Sequence, residues 1–133
     1  LVLARDLGDE RGVGQTLGNL GMAYALLGDP DQALIFYSQG LQIAQTICDR
    51  WTEGNTLGNL GALYAALGEP ERAIELYKQR LQVAQDIGDC QGEAVSSWNL
   101  GILLEEQGQL DQVMKYLRIS IEFDRKIEHP DVE

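Results

Sequence analysis

Three asparagines, Asn19, Asn59 and Asn99, stand forty residues apart. A carboxamide carries N–H donors and an acceptor oxygen, so a ladder of them suits the N–H and C=O groups of an extended peptide backbone. The same amides could equally bond neighbouring helices. Other chemistry-bearing residues are sparse. His129 sits at a turn with no nucleophile beside it, the glycines do not follow GxGxxG, and no His, Cys and carboxylate cluster has metal-ligand spacing. Cys48 and Cys90 form no CxxC pair, and reduced, cytoplasmic thiols are the expectation. The residues point to recognition rather than catalysis, with no cofactor and no metal.

The elements that carry these amides repeat. Residues 57–77 read LGNLGALYAALGEPERAIELY, residues 17–37 read LGNLGMAYALLGDPDQALIFY, and residues 97–117 read SWNLGILLEEQGQLDQVMKYL. One unit is written three times, and a period of this size marks a solenoid whose units bury their apolar faces against one another. In the middle unit Leu57, Leu60, Gly61, Tyr64 and Leu67 follow helical spacing and predict helix A over about 52–67. Gly68 suits a positive-φ helix end, and Pro70 suits the first position of helix B. Helix B then carries Ala73, Ile74, Tyr77, Leu81, Ala84 and Ile87 up to a turn at Gly88-Asp89. Gly21, Gly61 and Gly101 fall inside A helices, where glycine costs about 1 kcal/mol relative to alanine. They read as places where helix B comes too close for a side chain.

Composition excludes several classes of function. The chain has 133 residues, 44% of them hydrophobic and only 7% aromatic, which fits a folded domain with an aliphatic core. No apolar run approaches the ~18–20 residues of a membrane span, so no membrane partner is expected. A net charge of −11 argues against nucleic acid, whose phosphates need clustered Lys and Arg. Asp29, Asp31, Glu69, Glu71 and Asp111 fall in predicted first turns, where carboxylates complement the helix dipole. The remaining acidity would favour a partner with basic residues.

The unit boundaries place repeats at 11–50, 51–90 and 91–130. Residues 1–10 align with 41–50 and 81–90 and read as the tail of a preceding unit's helix B, with Leu1, Leu3, Ala4 and Leu7 as its stripe. Residues 131–133 read as the start of a further helix, with Pro130 at its first position and Asp131 and Glu133 in its first turn. The expectation is a fragment of a longer array. Met114, Leu117 and Ile121 would then lie open at one end, and self-association through such ends is an expectation.

The unit resembles the tetratricopeptide repeat. The matching residues are Leu60-Gly61, Tyr64, Gly68, Ala73 and Tyr77 in unit two, and Leu20-Gly21, Tyr24, Gly28, Ala33 and Tyr37 in unit one. Unit three keeps Leu100-Gly101 and Gly108 but has Leu104, Val113 and Leu117 at the other places. The period is 40 rather than the usual 34, and Gln45, Gln85 and Arg125 stand where a proline usually ends helix B. Six extra residues add roughly 9 Å of helix. This long form is similar to repeats in Pins-type polarity adaptors, kinesin light chains and multidomain bacterial signalling proteins.

The resemblance implies an all-α superhelix of three helical hairpins plus a partial N-terminal helix. It also implies a concave groove lined by the A helices. Carried onto this sequence, the groove face is Gln15, Gly18, Asn19, Met22 and Ala25, then Asn55, Gly58, Asn59, Ala62 and Ala65, then Val95, Trp98, Asn99, Ile102 and Glu105. Gly18 and Gly58 would present bare backbone to a ligand. Trp98 would either anchor an apolar ligand side chain or pack as core on the adjacent unit. With no basic residue on that face, capture of a C-terminal carboxylate is not expected. Glu105 and Glu106 would sooner attract a basic ligand, or are simply a solvated helix face. The function so implied is a non-catalytic protein- or peptide-binding scaffold; the alternative is a spacer or self-association element of a larger signalling or regulatory protein.

Overall fold

The computed structural model describes residues 2–128, and within them the chain forms α1 (Val2–Leu26), α2 (Pro30–Thr46), α3 (Arg50–Ala66), α4 (Pro70–Ile87), α5 (Cys90–Glu106) and α6 (Leu110–Glu128). Antiparallel pairs α1/α2, α3/α4 and α5/α6 make three hairpins, and each hairpin stacks on the next through α2/α3 and α4/α5. Among the described residues no helix is long and apolar enough to cross a membrane.

Each turn follows from its residues. Gly28, Gly68 and Gly108 take φ of 80°, 77° and 76° after the A helices, a conformation that a Cβ would strain. Pro30 and Pro70 open α2 and α4, where a missing N–H breaks no helical bond. The Asp29 carboxylate accepts from Gln32 N at 3.2 Å, whereas Glu69 at the equivalent cap makes no such bond. Asp49 and Asp89 cap α3 and α5, accepting from Thr52 N at 3.3 Å and Gly92 N at 2.9 Å.

The helical glycines are explained by helix B, through its aromatic ring. A Cβ on Gly21 would stand 2.7 Å from Tyr37 Cδ1, and one on Gly61 would stand 3.0 Å from Tyr77 Cε1. At Gly101 the neighbour is Leu117 Cδ2, also at 3.0 Å. Large side chains of helix B thus lie flat on backbone that has none. The core sits between units, as a solenoid requires. Tyr77, Leu81, Leu100, Leu104, Val113 and Tyr116 form one buried cluster across units two and three; Ala33, Tyr37, Leu60 and Leu63 form another across units one and two. Withdrawing a side chain such as Leu100 or Leu104 from water contributes about 1.5–3 kcal/mol.

Two sequence expectations differ from what is observed. Residues 2–26 form a single helix, so residues 2–10, read as the tail of a separate helix, run without a break into the first A helix. At Gly88-Asp89 the chain does turn, because α5 folds back onto α4 and the Asp89 carboxylate caps the new helix. Leu67 and Ile87, placed on buried stripes, are 44% and 39% exposed because each lies at the end of its helix, beyond the reach of the next unit. The side chains of Leu1, Leu3, Ala4 and Leu7, and all of His129–Glu133, lie outside the described residues.

Candidate peptide-binding groove

Helices α1, α3 and α5 stand side by side, and one cleft of about 630 Å³ runs across them. Of the residues placed on the groove face from sequence, the cleft is lined by Gln15, Gly18, Asn19 and Met22 from α1, by Asn55, Gly58, Asn59 and Ala62 from α3, and by Val95 and Asn99 from α5. It thus brings the three ladder asparagines onto one surface. Of the cleft side chains, Thr52 donates to the Asp49 carboxylate, Thr56 to Thr52 O, and Arg80 to Asn55, Ser96 and two backbone carbonyls; among the described residues no side-chain hydrogen bond reaches Asn19, Asn59 or Asn99.

Trp98, Ile102, Glu105, Ala25 and Ala65 do not line this cleft. Trp98 is 52% exposed, which removes it from the core, and Ile102 is 37% exposed farther along α5. Glu105 and Glu106 are exposed in the last turn of α5.

Two side chains missed in the sequence shape the cleft. Trp51, 56% exposed at the start of α3, lines its wall. Arg80 enters from α4, a B helix, and its stem lies over Gly58, where a Cβ would stand 2.7 Å from Arg80 Cδ. Gly58 therefore presents no bare backbone to a ligand. At Gly18 nothing lies within 4 Å of a Cβ, and the backbone there is open as expected. The difference is local: Gly40 occupies in α2 the place that Arg80 holds in α4, and Ser120 occupies it in α6. A long cation at a position small in both other units was the available signal, as was a lone tryptophan where the other units have Arg11 and Gln91.

Arg80 also corrects the expectation of a groove without basic groups. Its Nε–H donates to Gly54 O at 3.0 Å, its Nη1 to Gly92 O and Ser96 Oγ at 3.1 Å each, and its Nη2 to Asn55 Oδ1 at 3.4 Å. One side chain thereby ties α3, α4 and α5 together. Beneath it, burial pushes the Tyr77 phenol above its ordinary pKa, and the Arg80 charge acts in the opposite direction. Among the described residues no group of three or more His, Cys, Asp or Glu side chains could hold a metal ion.

A stacked series of helical hairpins with an open, amide-lined cleft across α1, α3 and α5 defines a helical-repeat scaffold. The match to known families specifies which one: the Tetratricopeptide repeat models cover residues 52–126 and, separately, residues 14–47. This chain belongs to the tetratricopeptide repeat family, a family of protein-interaction scaffolds. Among solved structures it is similar to BtubC (BKLC) from P. vanneervenii, with a TM-score of 0.83 at 20% identity over 95% of this chain. This chain spans 54% of that one. MamA aligns over 94% of this chain and 86% of its own, at 19% identity and a TM-score of 0.47. None of the curated proteins compared matches the chain.

Proposed function

We propose that this chain is a non-catalytic binding module that takes a segment of a partner protein along the concave cleft. The observation that carries this reading is the convergence of Asn19, Asn59 and Asn99 on one open surface, with no hydrogen-bond partner for their side-chain amides among the described residues. A peptide lying across α1, α3 and α5 would meet these amides in turn and exchange backbone hydrogen bonds with them. Met22, Val95 and Trp51 supply apolar contact inside the cleft, and Trp98 and Ile102 extend it along α5. Gln15 and Asn55 add polar contacts at its edge. A basic ligand segment would find Glu105 and Glu106 only beyond the cleft, at the end of α5. A reducing, cytoplasmic setting is part of the proposal and rests on the exposed free thiols Cys48 and Cys90.

The second reading, self-association through an exposed helix face, rests on α6. Leu110, Met114 and Ile121 are 64%, 61% and 54% exposed, although the equivalent Ile74 and Leu81 of α4 are covered by α5.

Capture of partners from a source lysate, run with the parent chain and with an Asn19→Ala/Asn59→Ala/Asn99→Ala variant of unchanged thermal stability, separates the two. Partners lost with the variant support groove binding. Partners held equally by both refute it and move the interaction to α6 or the convex face.

A further inference from the structure

The chain carries a net charge of −11, yet among the described residues the one charged side chain lining its cleft is Arg80. All of that guanidinium's bonds run to neutral acceptors, and no carboxylate among the described residues lies within ion-pair distance of it. Asp89 borders a neighbouring hollow with Arg80, but its carboxylate is turned to its own helix start, accepting from Gly92 N at 2.9 Å. A guanidinium has five N–H donors, and four are met here. The fifth, on Nη2, lies on the exposed side with Asn55, whose oxygen is held by Arg80 so that its amide nitrogen is left with free donors. A half-buried cation without a counter-charge, with donors still open beside it, is complementary to a carboxylate.

We propose that Arg80 and Asn55 receive the side-chain carboxylate of an Asp or Glu in the bound segment. This rests on the groove reading and names its ligand chemistry. A side chain rather than a chain end is implied because the cleft continues past Arg80 on both sides, to Asn19 and Met22 of α1 and to Val95 and Asn99 of α5. One guanidinium without a second cation matches a single carboxylate better than a phosphate, which carries nearly twice the charge. Trp51 and Val95, which share the hollow with Arg80 and Asn55, would seat an apolar residue next to the acidic one.

A random dodecapeptide library displayed on phage, selected on the 133-residue chain, tests this. The expected peptides share an Asp or Glu beside an aromatic or aliphatic residue and lose binding to the Asn19→Ala/Asn59→Ala/Asn99→Ala variant. Replacing that Glu by Gln in a synthetic peptide should weaken binding to the unaltered protein by about tenfold or more, the usual worth of a hydrogen bond to a charged group. This arm needs no protein variant to fold. On Arg80→Ser, which installs the residue of the third unit, the preference for Glu over Gln should vanish. Peptides that depend on the asparagines but show no acidic preference, or keep it on Arg80→Ser, would overturn the carboxylate site and leave the groove reading intact. Peptides with a C-terminal carboxylate as their shared feature would overturn the side-chain assignment. Peptides indifferent to the asparagines, or an empty selection, would overturn both.

Discussion

Gly58 and Arg80 are complementary: a Cβ at position 58 would lie 2.7 Å from Arg80 Cδ and 2.8 Å from Nε, so glycine on α3 is the space that the arginine of α4 occupies. Gly18 is the same position one unit earlier, without an arginine above it and with nothing within 4 Å. Two glycines identical by repeat position therefore have different physical roles.

Alanine at the two positions should separate them. Gly18→Ala is expected to stabilise the chain by about 0.5–1 kcal/mol through helix propensity alone. Gly58→Ala gains the same propensity but displaces a side chain held by four hydrogen bonds, so its stability should fall at least about 1 kcal/mol below that of Gly18→Ala. Urea unfolding of both variants reads the difference; equal gains would mean that Arg80 is not fixed over Gly58.

Gly21 is the tightest of the contacts between an A helix and a ring. The Tyr37 ring that covers it is buried, with 3% exposed, and a Cβ at Gly21 would meet three of its atoms within 3 Å. Gly21→Ala should destabilise by about 1–3 kcal/mol despite the better helix former, because overpacking outweighs propensity. A stabilised variant in thermal unfolding would contradict the packing described between α1 and α2.

Ser97 is fully buried, and its Oγ has no hydrogen-bond partner among the described residues, at a place where unit two has Leu57. A buried, unsatisfied hydroxyl costs about 1–3 kcal/mol. Ser97→Ala is expected to raise the denaturation midpoint, by an amount near the lower end of that range. A loss of stability would reveal a partner for the hydroxyl.

Burial raises the pKa of Tyr37, and burial outweighs the opposing Arg80 charge to raise that of Tyr77. The folded state thus holds these phenol protons more tightly than the unfolded chain does. Their contribution is complete below the unfolded pKa near 10 and is lost as pH rises through the higher folded values. The melting temperature should fall on the alkaline side of about pH 10, less steeply in Tyr37→Phe. An identical slope in that variant would show that other groups govern the alkaline limit.

The hairpins were legible because their signals are local and repeated: a glycine at each of the three turns with a proline after it in two of them, the helical spacing of leucines, and glycines at one recurring place inside the A helices. Asn19, Asn59 and Asn99 were legible as a ladder for the same reason. Arg80 was not, because its role depends on which atoms of three helices it reaches. Nothing within α4 itself distinguishes a groove-facing arginine from a solvated one. Trp98 illustrates the limit from the other side. Helical phase placed it on the groove face and left core burial open, and its 52% exposure depends on the packing of neighbouring helices, which helical phase does not specify.

Binding along the concave cleft is tested most directly by position-specific cross-linking. A photoreactive phenylalanine replaces Ala62, exposed within the cleft, or Glu75, exposed on α4 outside it. After illumination with a partner captured from lysate, covalent product is predicted from position 62 and not from position 75. Product from position 75 alone would contradict the groove account.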